Sequence, residues 1–191
     1  LVVSRVASRS TKPEVDLLGA SFSTSLSDLY QDDVDIIVEL IGGDTTAKEL
    51  IEQALALGKP VVTANKAVIA RYGTSLFSSN QNVPLKFEAA VAGAIPIVQA
   101  VQQGLVANRF DHVIGIINGT CNYILTAMEK RGMSFDEALA EAQALGFAEA
   151  DPSSDVEGID AAHKLTILLA LAFDSAYDFS RVYVEGITKV T

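Results

Sequence analysis

Acidic residues crowd a short segment near the end of the chain, and a lysine closes that segment. Residues 149–164 have the sequence EADPSSDVEGIDAAHK and run directly into the apolar sequence LTILLALAF. Such a cluster can bind a metal ion, cap a helix, or hold a polar substrate beside a group that transfers protons. The acids of the segment are Glu149, Asp151, Asp155, Glu157 and Asp160, and the lysine is Lys164.

A calcium loop is the first possibility, and the spacing excludes it. A loop of the EF-hand type requires a glycine at its sixth position and a bidentate acid at its twelfth. When Gly158 takes the sixth position, Lys164 falls at the twelfth. Because a lysine there would repel the cation, the segment is not an EF-hand loop.

Helix capping explains only some of the acids. Asp155, or the residues around Pro152, can accept N–H bonds from the first turn of a helix. Asp160 and Lys164 are four residues apart, so on a helix they share one face. Beside a core, burial lowers the pKa of a lysine and a nearby aspartate raises it, which suits proton transfer. The spacing leaves two interpretations open, a catalytic pair and a structural ion pair.

Lys66 is a second candidate for chemistry. It follows the buried strand pattern PVVTA and begins a helix pattern, and ligands of open α/β sheets bind at the carboxyl ends of strands. The alternative is an exposed lysine at a helix start. The segment IGGDTTA, residues 41–47, predicts a second strand-to-helix turn on the same edge, where backbone N–H groups can approach a phosphate or a ring. The candidate residues of that turn are Gly42, Gly43 and Thr45.

Other motifs give weaker signals or none. Arg9 follows the strand pattern VVSRVAS, where a dinucleotide-binding fold meets the adenosine ribose, and an arginine there suits a 2′-phosphate; a solvent-facing arginine is the alternative. The glycine-rich dinucleotide fingerprint does not occur in the sequence. His112 and His163 have no metal-ligand spacing with Cys121. Neither a G-x-S-x-G elbow nor a P-loop occurs, so triad hydrolysis and nucleotide hydrolysis are poorly supported.

Composition narrows the class of protein. About half of the 191 residues are apolar, and the formal net charge is −10 with a pI near 4.6. An acidic balance argues against a nucleic-acid or anionic-membrane surface, which needs clustered Lys and Arg. The apolar runs are too short to span a membrane, and the start of the chain lacks a signal-peptide layout. Its one cysteine indicates a reducing, cytoplasmic location.

The elements that must position these residues alternate between strand and helix up to residue 85. VDIIVEL, residues 34–40, predicts a strand buried on both faces of a parallel sheet, and helix patterns follow it and PVVTA. Gly58 is placed to end the first helix. Strand, helix, strand, helix predicts an α/β fold, an incomplete Rossmann-like doubly wound parallel sheet over residues 1–85.

Residues 86–191 predict a second domain, of α+β class. LKFEAAV and HVIGIIN predict strands, and AGAIPIVQAVQQGLV predicts a helix with Pro96 near its first turn. Ser134 and Glu137 have capping-box spacing at the start of a further helix. The chain begins and ends inside strand-like runs, LVVSRVAS and RVYVEGITKVT, so we expect it to be a fragment.

Four ordered segments resemble homoserine dehydrogenases, and together they cover essentially the whole chain. They are VVTANK, FEAAVAGAIPI, IINGTCNYIL and AQALGFAEADPSSDVEGIDAAHK. The resemblance implies an NAD(P)-dependent oxidoreductase that interconverts L-aspartate 4-semialdehyde and L-homoserine by hydride transfer, in threonine and methionine biosynthesis. It also implies that residues 86–191 are a catalytic and dimerisation domain, that a homodimer forms through the sheet of this domain, and that the substrate is a small molecule. Together with the acidic composition, we expect neither nucleic acid nor a membrane as a partner.

The resemblance implies a role for each matched residue. Lys164 matches the proton donor, and Lys66 matches a lysine between nicotinamide and substrate. Glu149 and Asp160 match residues that hold the amino end of the substrate, with Asp155 in the same pocket. Thr120 and Gly146 line the substrate cleft, and Arg9, Gly42, Gly43, Thr45, Lys66 and Asn118 are assigned to NADP or NAD. Glu88, Val91, Gly93 and Ile95 match a site for a monovalent cation, sodium, held largely by backbone carbonyls.

The sequence departs from the family pattern at both of its ends, which supports an alternative. The glycine-rich phosphate loop of the family should precede Leu1 and is not in the sequence, and neither are a return of the chain to the cofactor domain and a regulatory domain after Thr191. The alternative is therefore a truncated, non-catalytic dimerisation or regulatory fragment. A neighbouring class, the aldehyde dehydrogenases, would require Cys121 as a nucleophile.

Overall fold

A computed structural model describes residues 1–11, 14–80 and 82–191, and it shows a mixed α/β fold with parallel sheets. The strands are β1 (Arg5–Ala7), β2 (Ser21–Ser23), β3 (Ile37–Glu39), β4 (Val61–Thr63) and β5 (Leu85–Lys86). The longer helices are α1 (Thr45–Ala56), α2 (Lys66–Ser79), α4 (Gly119–Arg131), α5 (Phe135–Ala144) and α7 (Ile159–Phe173). The short helices are α3 (Ile97–Gln99), which continues as a π-helical turn over Ala100–Gly104, and α6 (Ser153–Val156).

The strands form two parallel groups. β1 pairs with β2, and β3, β4 and β5 pair in that order. The expected parallel α/β architecture is therefore confirmed. The β3–β4–β5 sheet aligns the carboxyl ends of β3 and β4, so the turns that lead into α1 and α2 lie side by side at one edge.

One face of this sheet is buried, and the other is open. Ile37 and Val61 lie in the main core with residues of α1, α2 and α7. Val38, which follows Ile37 and points to the opposite face of the strand, is 60% exposed. The expectation that this strand is buried on both faces is wrong, because the helices that the structure describes cover only the face of Ile37 and Val61.

Hydrogen-bonding residues and glycines set the limits of the helices. Asn65 begins α2 by accepting the N–H of Val68 at 3.1 Å. The capping box predicted from Ser134 and Glu137 is present at the start of α5. Gly58 lies just beyond α1 with a φ of 74°, in the left-handed region that favours glycine, so its predicted role as a stop is confirmed.

Of the strands predicted from residue 85 onward, only the short strand β5 forms within the described residues. HVIGIIN, residues 112–118, has no strand partner within the described residues, and Ile114 and Ile116 are 92% and 79% exposed. A strand needs a neighbour for its backbone ladder, so periodicity alone could not produce one here. LKFEAAV forms only β5 before a 3₁₀ turn over Glu88–Ala90, and residues 181–191 form no strand. The next helix begins only after Pro96, which stands at its N-cap.

The helices of the second half form their own small core. Ile124 and Ala127 of α4 pack against Ala138 and Ala142 of α5, and the small alanine side chains let the two helices approach closely. α7 joins this half to the first, because Ile167 belongs to the main core. None of the helices within the described ranges is long and apolar enough to cross a membrane.

Candidate active site

The first turns of α7 present Asp160 and Lys164 on one face, as their spacing predicts. Asp160 is 5% exposed. The Nζ of Lys164 donates to Oδ2 of Asp160 at 2.5 Å and to the carbonyl oxygen of Ile117 at 2.8 Å. The lysine is therefore held at two points, and its side chain remains partly exposed.

Lys66 reaches the same aspartate from the other half of the chain. It is the first residue of α2, and its Nζ lies 3.0 Å from Oδ1 of Asp160. Each oxygen of Asp160 thus faces a different lysine ammonium. The structure brings together the two lysines that the sequence singled out separately, and it places one buried carboxylate between them.

Asn118 links Asp160 to a second acid. Its Nδ2 donates to Oδ1 of Asp155 at 2.7 Å and to Oδ2 of Asp160 at 2.9 Å, while its Oδ1 caps α4 by accepting the N–H of Cys121 at 2.8 Å. Thr120 supports the arrangement, since its hydroxyl lies 3.1 Å from Oδ2 of Asp155. One buried amide therefore holds two like charges close together, which would otherwise repel each other.

The surroundings of these groups move their pKa values. Burial alone would raise the pKa of Asp160, but hydrogen bonds from Lys164, Asn118 and Lys66 outweigh it and lower that pKa below its ordinary value. Asp160 is therefore an anion at neutral pH. Burial raises the pKa of the Cys121 thiol, and the charges of Asp155 and Asp160 raise it further. A protonated thiol is a poor nucleophile, which argues against the aldehyde dehydrogenase alternative.

A cavity of about 840 Å³ opens beside these groups and along one side of α4. Its size is ample for a small polar substrate. Its lining contains five of the predicted site residues, namely Asn118, Thr120, Asp155, Asp160 and Lys164. The acids and Lys164 therefore face a common space, which is the arrangement required for binding an ammonium group and moving a proton nearby.

Two predicted substrate residues lie apart from this lining. Glu149 is exposed, and the contact it makes here is through its backbone oxygen, which accepts from Nε2 of Gln143 at 3.0 Å. Gly146 is exposed just beyond α5, with a φ of 77°. Both belong to the loop that carries Phe147, whose carbonyl oxygen lies 2.7 Å from the Thr120 hydroxyl. The loop thus contacts the cavity, although Glu149 itself does not line it.

The predicted cofactor residues lie at the carboxyl edge of the sheet. Gly42 and Gly43 form the exposed turn after β3, and Thr45 begins α1. Asn65 from the neighbouring turn holds this segment, because its Nδ2 donates to the carbonyl oxygen of Gly43 at 2.7 Å. Arg9 is exposed in the loop after β1. Lys66 and Asn118, also assigned to the cofactor, both contact Asp160 instead.

The predicted cation residues differ in whether their backbone carbonyls are occupied, since the carbonyl of Ile95 accepts the N–H of Ile97 at 2.8 Å and that of Glu88 accepts the N–H of Val91 at 3.5 Å. The carboxylate of Glu88 is occupied, since it accepts the N–H groups of Val98 at 2.8 Å and Gln99 at 2.9 Å. Within the described residues the carbonyl oxygens of Val91 and Gly93 accept no backbone hydrogen bond, and Gly93 has a positive φ. Backbone carbonyls suit a hard monovalent cation, so the donors fit, with Glu88 contributing at most its carbonyl. No group of three acidic, cysteine or histidine side chains in the described ranges could hold a metal.

Sequence analysis missed the polar residues under the sheet edge. Glu39 at the end of β3 and Thr63 at the end of β4 are each only 1% exposed, and they hydrogen-bond to each other. A signal was present, because Glu39 is the acid in the otherwise apolar run of residues 36–40. The role of Asn118 in joining two acids had no sequence signal, since it depends on the approach of α4 to α7.

Two family models match this chain. The family model described as "Homoserine dehydrogenase" matches residues 96–191, and the one described as "Homoserine dehydrogenase, NAD binding domain" matches residues 1–88. The chain belongs to the homoserine dehydrogenase family. The family resemblance drawn from the sequence motifs is therefore confirmed.

Individual homoserine dehydrogenases match closely over most of the chain. The homoserine dehydrogenase of Pseudomonas aeruginosa is 50% identical over 99% of this chain and 44% of its own length. A crystal structure from Thiobacillus denitrificans has a TM-score of 0.93 at 52% identity, covering 98% of this chain and 44% of that one. A hyperthermophilic archaeal homoserine dehydrogenase in complex with NADPH has a TM-score of 0.79 at 30% identity, covering 90% of this chain and 53% of that one. The chain thus spans about half the length of these relatives.

Proposed function

We propose that this chain forms the substrate site and much of the cofactor site of a homoserine dehydrogenase, which interconverts L-aspartate 4-semialdehyde and L-homoserine. The observation that carries the proposal is the placement of Lys66 and Lys164 on the two oxygens of Asp160 at the edge of the cavity. A carbonyl reduction needs a cationic proton donor at the oxygen and a hydride at the carbon. When bound, the nicotinamide cofactor supplies the hydride.

Lys164 is the proton donor in this proposal. It lines the cavity, and its ammonium is oriented by Asp160 and by the carbonyl oxygen of Ile117. A lysine held this way can give a proton to the substrate oxygen and take it back in the reverse direction. Lys66, 3.0 Å from Asp160, adds positive charge near the same oxygen.

The acidic pocket binds the amino end of the substrate. Asp155 receives hydrogen bonds from Asn118, and no lysine or arginine pairs with it within the described residues. An α-ammonium group would supply the missing cation, shared between Asp155 and Asp160. Glu149 and Gly146 complete the pocket from the loop of Phe147, which already contacts Thr120.

The cofactor is NADP or NAD, bound at the sheet edge by the turn of Gly42 and Gly43 together with Thr45, Arg9 and Asn118. The match to an NAD-binding domain and the NADPH complex of the archaeal relative support this assignment. The turn is suited to the task because it is exposed and lies where parallel strands end.

Further proposals concern the assembly. The cation site lies at the free carbonyls of Val91 and Gly93 and fixes the turn before α3. The boundary between the domains falls near Leu85, where the sheet ends. The protein works as a homodimer in the cytoplasm, and the exposed residues Ile114 and Ile116 suit a subunit contact.

The test is an assay of the enzyme that carries this chain, with homoserine and either NADP⁺ or NAD⁺, following the absorbance of the reduced nicotinamide. We expect reduction that depends on homoserine. If neither nucleotide is reduced, and calorimetry finds no nucleotide binding to this chain, the non-catalytic alternative is favoured and the proposal fails.

A further inference from the structure

A carboxylate without a cationic partner is buried beneath the turn of Gly42 and Gly43. Glu39 is 1% exposed, and no lysine, arginine or histidine in the described ranges forms an ion pair with it. Its Oε1 accepts the N–H of Ile41 at 2.6 Å. A buried acid is costly unless its oxygens are hydrogen-bonded, and both oxygens of Glu39 are hydrogen-bonded here.

The second oxygen of Glu39 leads to the neighbouring strand. Oε2 accepts the hydroxyl of Thr63, which is itself 1% exposed at the end of β4. The same hydroxyl oxygen accepts the N–H of Asn65 at 2.9 Å. The Thr63 hydroxyl therefore donates to Glu39, in the strand before the glycine turn, and accepts from Asn65, in the turn before α2.

Asn65 closes the network back onto the first turn. Its Nδ2 donates to the carbonyl oxygens of Ile41 at 3.1 Å and Gly43 at 2.7 Å. Its Oδ1 caps α2 through the N–H of Val68 at 3.1 Å. The residue after this cap is Lys66, so the position of the lysine and the shape of the glycine turn depend on one side chain.

We propose that Glu39, Thr63 and Asn65 act as positioning residues, which hold the Gly42–Gly43 turn and Lys66 in a fixed relation so that cofactor and lysine meet at Asp160. We call these three residues the strand-end brace. This inference rests on the proposed function, because it assigns the turn to the nicotinamide cofactor. None of the three residues touches substrate; each acts through the backbone it holds.

Asn65→Ser tests the brace without removing the helix cap. Serine is as good an N-cap as asparagine but lacks the arm that reaches Ile41 and Gly43. We expect the loss of these two hydrogen bonds to raise the KM for the nucleotide about five- to tenfold, with a smaller change in the KM for homoserine. The thermal midpoint of unfolding should stay close to that of the wild type.

Thr63→Val and Thr63→Ser form a matched pair for the hydroxyl. Valine keeps the shape but removes both hydrogen bonds, whereas serine retains the hydroxyl. We expect Thr63→Val to raise the nucleotide KM at least as much as Asn65→Ser, and Thr63→Ser to restore most of the loss. Thr188→Val, at an exposed threonine far along the chain, is the control and should change nothing.

Hydrogen exchange of the Ile41 amide, measured without cofactor, separates failure of the brace from failure of the proposed function. Both disruptive variants should exchange faster there than the wild type. If exchange at Ile41 is unchanged in both variants, the brace is overturned as a positioning device. The same holds if exchange becomes faster while the KM for the nucleotide does not rise. If the wild type shows no dehydrogenase activity, the proposed function fails, and exchange together with nucleotide affinity decides the brace.

Discussion

Two polar networks lie at the same edge of the molecule, and they differ in what they join. The strand-end brace, in which Glu39 and Thr63 are buried, is built of one carboxylate, a hydroxyl, an amide side chain and backbone groups. The network around Asp160 joins three side chains to that carboxylate, two of them lysines, and it opens on the cavity. The strand-end brace holds backbone groups in place, while the network around Asp160 holds the ammonium groups of two lysines.

The difference shows how one site can combine a fixed backbone with side chains that are free to shift slightly. Hydrogen bonds to backbone groups on short strands leave little freedom, so the brace fixes where Lys66 begins its helix. A lysine on a long flexible stem can still move its ammonium by small distances. Lys66 is where the networks meet, because its backbone follows Asn65 and its Nζ contacts Asp160.

Removal of Lys164 should have the largest effect. Lys164→Ala takes away the proposed proton donor but leaves α7 otherwise intact, so kcat should fall about 100- to 10,000-fold, the usual contribution of a general acid. Lys189→Ala, at an exposed lysine near the end of the chain, is the control. Circular dichroism should match the wild type for both variants. Turnover near the wild-type rate in Lys164→Ala would refute the assignment.

Neutralising Asp160 should have the next largest effect, because it releases both lysines. Charge-assisted hydrogen bonds contribute roughly 1.5–3 kcal/mol each, so Asp160→Asn should lower kcat/KM for homoserine about 10- to 100-fold. Asp136→Asn, at an exposed acid on α5, is the matched control.

The carboxylate of Asp160 should also affect how the free energy of unfolding falls at acid pH. Its pKa in the folded state lies below the unfolded value, so its contribution is present above the unfolded pKa and is lost as the pH falls through the folded one. Below about pH 4, the free energy of unfolding measured with denaturant should therefore depend less steeply on pH for Asp160→Asn than for the wild type. Equal slopes would contradict the ionic picture of this network.

Loss of the amide that joins the two acids should be milder. Asn118→Ala removes the donor to Asp155 and Asp160, and it also removes the cap of α4. Asn118→Ser keeps a cap but not the bridging donor, so it isolates the bridge. We expect the KM for homoserine to rise about fivefold in Asn118→Ser, as for one lost hydrogen bond. A change confined to the nucleotide KM would instead favour the assignment of Asn118 to the cofactor.

The smallest effect concerns His163, which lies beside both networks. Burial lowers its pKa, and the charges of Arg71 and Lys66 lower it further. Because the folded pKa is depressed, the contribution of the neutral ring is present above the unfolded pKa near 6.5 and is lost as the pH falls through the folded value. His163→Leu should flatten the pH dependence of unfolding between about pH 7 and 5. An unchanged slope would show that the ring is not constrained to be neutral.

Much of the scaffold follows from local pattern. The parallel strands at Ile37–Glu39 and Val61–Thr63, the helices after them and the capping box at Ser134 were all predictable, because each depends on neighbouring residues. The strand expected over residues 112–118 fails for the opposite reason. Its pairing depends on a partner that no local pattern can supply.

The candidate site divides in the same way. The spacing of Asp160 and Lys164 predicted their contact, since a helix brings residues four apart onto one face. The contact of Lys66 with Asp160 joins α2 to α7 and could not be read from spacing. Glu149 shows the reverse case, because the family pattern groups it with Asp160 while the structure leaves it outside the cavity lining.

The sequence by itself determined the family, the parallel α/β class and the pair formed by Asp160 and Lys164, because motifs and helical periodicity are local properties. Only the tertiary structure decided that one buried carboxylate serves two lysines, that Asn118 joins two acids, and that Glu39, Thr63 and Asn65 connect adjacent strand ends. These contacts join residues distant in sequence. They exist because the packing of α7 against α2, and of β3 beside β4, brings their polar groups within hydrogen-bonding distance.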